Sequence, residues 1–191
     1  MLFGNHISRD SYDIDWKKVK PQVAQEVEIS EQHSLEVNGV TSYLNKNKTH
    51  ELEVFQDFYR YMQPKMESFI FNDLEYPKGK VYIQNAWLSK YTYEGYVQEH
   101  SHESSVAVSC LYLEHYENSG HIEFRKPFYD LKKLTVSPFH PLPKDTNWFY
   151  KEIEVKQNDI LMFDSFLLHK SQPNLSEKER WTLTTNYGVK I

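Results

Sequence analysis

Nine histidines are spread over the 191 residues, and three of them stand where they could share one ligand. His100-Ser101-His102 sets two imidazoles two residues apart. On a strand, residues i and i+2 project from one face. Both rings can then meet one metal ion, with Tyr96 and Gln98 on the same side. His169 follows the apolar run 160–168, and a fold that lays distant strands side by side can bring it to the other two. Three imidazoles, or two with a carboxylate, hold a divalent metal and leave positions open, the arrangement of non-haem iron centres. The pair alone has a plain alternative, the surface HxH that any histidine-rich chain shows somewhere. Zinc hydrolases that use an HxHxDH run are a poorer match, because Glu103, Ser104 and Ser105 follow here.

Arg180 is the second constellation. Alternation along 180–187 puts Arg180, Thr182, Thr184 and Asn186 on one face and Trp181, Leu183 and Thr185 on the other. A guanidinium pointing into a barrel needs an anion, since an unpaired buried charge is costly. Arginine takes a carboxylate bidentately, and the hydroxyl of Thr182 could add a donor. No acidic residue shares that face, so a small-molecule carboxylate is one partner. An acidic side chain on another strand, or water at a rim, is the other. Tyr112 could reach the same carboxylate or fill the core with one hydrogen bond. Trp87 reads as core, and the single Cys110 as a small buried filler.

These residues need a scaffold, and the hydropathy pattern describes one. Leu52, Phe55, Phe58, Tyr59, Met62, Met66, Phe69 and Ile70 recur at three- and four-residue steps, the apolar stripe of a helix over 48–71. Thr49 is the candidate cap, Pro64 a candidate kink, and 72–80 a turn. From Val81 onward the expected strands are 81–91, 95–102, 106–114, 121–125, 150–155, 160–168 and 180–189. Asn118-Ser119-Gly120 and Gln157-Asn158-Asp159 read as hairpin turns. Seven short strands after one helix predict a mainly β protein with flanking helices, a double-sheet jelly roll. The stretch 126–149 reads as a long irregular loop, a candidate lid. Phe128, Tyr129, Phe139, Trp148 and Phe149 could line a substrate cleft or form a hydrophobic plug over the barrel, and Lys126, Lys132, Lys133 and Lys144 could attract an acidic partner or simply be solvated.

Composition narrows the classes. Hydrophobic residues make up 39% and aromatics 15%, enough to bury a core. A formal charge of −5 without a basic block makes nucleic-acid binding a poor expectation. One cysteine excludes a disulfide framework. No apolar run has the length of a membrane span, and the start Met1-Leu2-Phe3-Gly4-Asn5-His6 lacks a signal-peptide pattern. The expectation is a soluble, cytoplasmic protein without membrane partners.

Taken in order, the motifs point to a family. They run from the HxH through Ser109-Cys110-Leu111-Tyr112-Leu113 to Ser119-Gly120-His121-Ile122-Glu123-Phe124, leading to Pro127. Later come Asn158-Asp159-Ile160-Leu161-Met162-Phe163-Asp164-Ser165, His169, Gln172-Pro173-Asn174, and Arg180-Trp181-Thr182 eleven residues after His169. This order and spacing resemble the 2-oxoglutarate- and Fe(II)-dependent oxygenase superfamily, in the branch of small bacterial and phage oxygenases near the prolyl hydroxylases. The resemblance spans 81–189, and more loosely the helix before it. It implies a double-stranded β-helix of the cupin-like kind, with Fe(II) at its open end and 2-oxoglutarate as co-substrate. It also implies a small-molecule or peptide substrate, of which a peptidyl, prolyl-like side chain is the nearest expectation.

Residue by residue, His100 matches the first iron ligand and His169 the distal one. His102 falls where most of the superfamily has Asp or Glu and where this branch often has His. Arg180 matches the arginine that holds the far carboxylate of 2-oxoglutarate. Thr182 falls at the usual hydroxyl position and Tyr112 at a tyrosine that touches the same carboxylate. Two departures stand out: no carboxylate at position 102, and Val108-Ser109 where the branch has Ser-Gly. Glu103, in the place of a proline, faces away on a regular strand, but a bulge could bring it in. The expected organisation is one oxygenase domain over 1–191, with 1–80 as helical and irregular support and 81–191 as the β core. The rival readings are a non-catalytic jelly roll that binds a metal or a carboxylate, and a structural component in which the histidines are incidental.

Overall fold

In a computed structural model, which describes residues 6–30, 32–44, 49–125 and 150–191, the chain opens with β1 (Ile7–Ser11), α1 (Trp16–Glu26) and β2 (Glu36–Thr41). It continues through α2 (Gln56–Ser68), β3 (Lys80–Val97), β4 (Ala107–Glu114), β5 (Ile122–Arg125) and β6 (Tyr150–Ile153). It ends with β7 (Asp159–Asp164), β8 (His169–Ser171) and β9 (Arg180–Lys190). The aromatic and lysine-bearing stretch 126–149 lies outside the described residues. Among the described residues no helix is long and apolar enough to cross a membrane.

The apolar stripe folds as a helix, but a shorter one than its spacing predicts. Phe58, Tyr59, Met62 and Met66 are the buried face of α2, each such side chain contributing about 1.5–3 kcal/mol on leaving water. Thr49 does not cap it: it sits in a separate 3-10 turn, Thr49–Glu51, with its buried Oγ1 lacking a hydrogen-bond partner. Pro64 stays within α2 on its exposed side, so the helix carries it without ending. The last turn widens, with the Leu74 N–H reaching the Phe69 carbonyl at 2.9 Å.

All ladders are antiparallel and form two sheets, a six-stranded one ordered β1-β7-β4-β9-β3-β2 and a three-stranded one ordered β6-β5-β8. Strands 81–91 and 95–102 of the sequence reading merge into β3, which ends at Val97. The two turns expected as hairpins are present as turns, yet neither joins paired strands. Asn118-Ser119-Gly120 carries the chain from β4 in the large sheet to β5 in the small one. Gln157-Asn158-Asp159 leads from β6 back to β7 in the large sheet. That crossing between sheets makes a jelly roll rather than a meander.

The segment before residue 80, expected as helical and irregular support, also supplies both edge strands of the large sheet. One face of that sheet packs Leu88, Leu111, Ile160, Met162, Trp181 and Leu183 against α1 and α2. The other face meets the small sheet through Val108, Cys110, Tyr112, Phe124, Leu161 and Phe163. The barrel interior formed there holds the candidate site.

Two local devices set its geometry. Gly120 has φ of 76°, and a Cβ there would stand 2.6 Å from the Pro173 carbonyl, so only glycine lets this turn lie against 172–173. Asn174, fully buried, ties the same loop to β3. Its Nδ2 donates to the Tyr91, Thr92 and Lys178 carbonyls at 3.1, 3.2 and 2.8 Å, and its backbone N–H to Gly95 at 2.9 Å. Asn174→Ala leaves those buried carbonyls short of donors. The expected cost is about 3 kcal/mol, a fall in Tm of roughly 6–12 °C. A thermal melt unchanged by the substitution would refute this role.

Candidate active site

Past the end of β3 the chain is no longer a regular strand, so i, i+2 alternation is not what unites the histidines. His100 pairs with His169 as an antiparallel bridge, each N–H donating to the other's carbonyl at 3.0 Å. His102 is turned inward by its N–H, which donates to the Ser165 carbonyl at 2.9 Å. Nδ1 of His100 lies 2.8 Å from the Gln98 carbonyl, and Nδ1 of His169 lies 2.9 Å from that of Leu167. A carbonyl only accepts, so both rings carry the proton on Nδ1 and keep the Nε2 lone pair free.

Nε2 of His102 and Nε2 of His169 stand 3.3 Å apart, on rings inclined by only 4°. One ligand atom from each of the three histidines lies within 4.8 Å of the others, and no other such group of His, Cys, Asp or Glu occurs among the described residues. Glu103 is exposed in the turn that follows and is not part of the group. Trp87 stacks on His102 at 5.7 Å, while Phe124 and Phe163 pack on His169 at 5.6 and 4.8 Å. Trp87 is therefore not core, as its sequence context implied, but part of the cavity wall.

Burial makes all three imidazoles hard to protonate. It holds His100 below its ordinary range, helped by nearby His33 and opposed by the Gln98 carbonyl. It pushes His102 down to about 3, with His100 adding repulsion. It takes His169, 4% exposed, well below the usual value, and both neighbouring histidines add to the effect. At neutral pH the cluster presents neutral nitrogen donors. The Asn186 side chain, in the wall of the same cavity, engages His102 and counters part of its downward shift. Three converging neutral nitrogen donors suit a divalent cation of the iron type.

Arg180 opens β9 opposite Tyr91 of β3 and is 1% exposed. Its Nη1 donates to the Ser119 carbonyl at 2.5 Å and the Gln172 carbonyl at 3.0 Å. Its Nη2 donates to the Ser171 Oγ at 2.9 Å and the Gly95 carbonyl at 3.3 Å. The guanidinium carbon lies 4.8 Å from the centre of the Tyr91 ring, for which Gly39 leaves room: a Cβ there would stand 2.6 Å from that ring. Every one of these acceptors is neutral, so the buried charge has no carboxylate partner among the described residues. Burial depresses its pKa, and Tyr91, Tyr112 and Cys110 counter the shift.

Across the sheet, Tyr112 on β4 faces Thr182 on β9 directly, and Thr182 faces Ser89 on β3. With Cys110, whose thiol burial pushes up to about 11, they line one cavity of about 300 Å³ together with Arg180 and the three histidines. The structure thus gathers His100, His102, His169, Arg180, Thr182 and Tyr112 around one space. It adds residues that sequence reasoning missed: His33, Glu36, Tyr43, Ser89 and Tyr91. Ser89 and Tyr91 were within reach, because they alternate with Trp87 along β3. Glu36 was not, since nothing local marks 36–41 as a strand.

The model of a family described as putative 2OG-Fe(II) oxygenase, where 2OG is 2-oxoglutarate, matches residues 85–186. No curated protein matches the chain in sequence. Solved structures share the fold. The prolyl-4-hydroxylase of Pseudomonas putida aligns with a TM-score of 0.62 at 12% identity, over 97% of this chain and 94% of that one. HygX of Streptomyces hygroscopicus, solved with nickel, 2-oxoglutarate and hygromycin B, aligns with a TM-score of 0.65 at 9% identity, over 100% and 86%. A 2OG-Fe(II) oxygenase-family oxidoreductase of Burkholderia pseudomallei gives 0.63 at 10% identity, over 98% and 86%. The matched stretch is more than half of the chain and carries the three histidines, Tyr112, Arg180 and Thr182. The chain therefore belongs to the putative 2OG-Fe(II) oxygenase family, an Fe(II)- and 2-oxoglutarate-dependent oxygenase.

Proposed function

We propose that His100, His102 and His169 hold the Fe(II), that Arg180 binds the distal carboxylate of 2-oxoglutarate with Thr182 and Tyr112 beside it, and that the enzyme hydroxylates an organic side chain. Iron and 2-oxoglutarate, when bound, supply the oxidising chemistry, with the balance R–H + O2 + 2-oxoglutarate → R–OH + succinate + CO2. The observation that carries this reading is the pairing, in one cavity, of a neutral three-histidine cluster with a buried arginine that lacks an acidic partner.

The protein's own part is binding, orientation and exclusion of water. The Gln98 and Leu167 carbonyls fix the ring tautomers, so the nitrogens are ready as ligands without a proton to lose. Trp87, Phe124 and Phe163 keep the cluster dry and hold its rings in place. Arg180, already anchored by four hydrogen bonds, meets a carboxylate with little side-chain entropy to lose. Its position among backbone carbonyls sets where the co-substrate's far end lies.

The fold of a prolyl-4-hydroxylase supports a peptidyl side chain as one substrate form, and a free small molecule is the other. The test is succinate release from 2-oxoglutarate by the full chain. The expected result is a requirement for both Fe(II) and oxygen, with Mn(II) binding but not turning over. Decarboxylation that proceeds equally without added metal would refute the reading.

A further inference from the structure

Glu36 is a carboxylate 6% exposed, on the wall of the same cavity, with no role in metal or co-substrate binding. Its Oε1 accepts from the Ser89 hydroxyl and from the Tyr91 hydroxyl, both at 3.1 Å. Among the described residues its Oε2 accepts only from the His33 N–H, at a long 3.4 Å. No lysine or arginine lies within ion-pair distance of it among the described residues. Acidic side chains are seldom buried without a cationic partner. Burial makes the carboxyl less acid than usual, and the hydroxyl donors and His33 N–H oppose that.

The surroundings of Glu36 suit a cation. Tyr43, 43% exposed, stands edge-on to Trp87 at 4.8 Å, and His33 stands edge-on to Tyr43 at 5.4 Å. Trp87 in turn stacks on His102. An aromatic wall thus leads from the surface to the histidine cluster, with the carboxylate in the same cavity. Aromatic faces next to a carboxylate are the usual receptor for an ammonium group.

Charge accounting gives the same answer. Arg180 lies across Tyr91 from Glu36 without touching it. In the reading above, which this inference rests on, 2-oxoglutarate neutralises Arg180. Glu36 is then left without a lysine or arginine partner among the described residues, with only His33 nearby to offset its charge.

We infer that the substrate carries a protonated alkylamine, which Glu36 receives between the aromatic walls while the C–H bond to be hydroxylated is presented to the histidine cluster. A lysyl-type side chain of a peptide and a free alkylamine share this chemistry.

The test uses the full chain loaded with Mn(II) and 2-oxoglutarate, titrated with four probes. Two are n-hexylammonium and its neutral counterpart 1-hexanol. Two are acetyl-Gly-Lys-Gly-amide and the same peptide with its lysine acetylated. The ammonium form of at least one pair is expected to bind about tenfold or more tighter than its neutral form. The better pair identifies the source as free amine or peptide. In Glu36→Gln, which keeps size and the acceptor for the Ser89 and Tyr91 hydroxyls but not that for the His33 N–H, that preference disappears.

Equal binding of charged and neutral probes overturns the inference, as does binding of neither, or a preference that survives in Glu36→Gln. The comparison on the wild-type chain needs no variant to fold. Mn(II) and 2-oxoglutarate affinities are read from the titrations that load the chain. If both are retained while the preference is missing, this inference alone fails. If 2-oxoglutarate does not bind, the reading beneath it fails as well.

Discussion

His169→Ala loses Fe(II)-dependent succinate release by at least about 10²-fold, because even residues that merely support metal ligands are worth 10- to 100-fold. The variant is a fair test, since what it deletes is the ring and not the scaffold. The bridge between His100 and His169 is made by main-chain groups and survives the change. Packing against Phe124 and Phe163 is lost, and a modest fall in stability accompanies it. Metal affinity, read by Mn(II) binding, separates the two effects. It falls in His169→Ala and in His102→Ala, and it is unchanged in Glu103→Ala, whose side chain stands exposed outside the cluster. Wild-type turnover in His169→Ala, or loss of metal in Glu103→Ala, would show that a different set of ligands operates. The second result would restore the carboxylate that the HxH motif lacks.

The other large effect is expected at Arg180, and it has two parts. Arg180→Ala removes the guanidinium charge and the one N–H that its four protein contacts leave for the co-substrate, a charge-assisted bond worth about 1.5–3 kcal/mol, so the 2-oxoglutarate affinity drops about tenfold or more. The same change strips a donor from the carbonyls of Ser119, Gln172 and Gly95 and from Ser171, at a cost to folding on the order of 3 kcal/mol. A melt alone would confuse the two. A ligand-induced shift does not. At 100 times its Kd, 2-oxoglutarate stabilises the wild type by about 2.7 kcal/mol. In Arg180→Ala the same concentration gives about half that stabilisation or less, whatever the starting Tm. A full shift in the variant would remove Arg180 from the co-substrate site and leave it a purely structural arginine.

These two sites were differently legible. Along β9 the alternation of Arg180, Thr182, Thr184 and Asn186 with Trp181 and Leu183 separates cavity from core, and the structure divides them that way. The stripe in α2 was equally plain, because a period near 3.6 is a property of the segment itself. The edge strands were not. Ile7-Ser8-Arg9-Asp10-Ser11 has little apolar character, and it becomes β1 because β7 offers its unpaired edge from Ile7↔Phe163 to Ser11↔Asp159. The hairpin reading of Asn118-Ser119-Gly120 failed for a related reason. Turn chemistry states that the chain reverses, not which sheet receives the next strand.

Residue types and their local periods determined which groups could do chemistry here, which faces they share, and that a β core with a helix on one side would carry them. Those are short-range properties, written in steps of two or four residues. Only the tertiary pairings decided that position 100 would bridge to position 169, that the second histidine would be drawn in by the Ser165 carbonyl after the strand had ended, and that Glu36 would close the pocket from an unremarkable N-terminal stretch. Such convergence depends on register and on hydrogen bonds between residues tens of positions apart, and no local pattern encodes it.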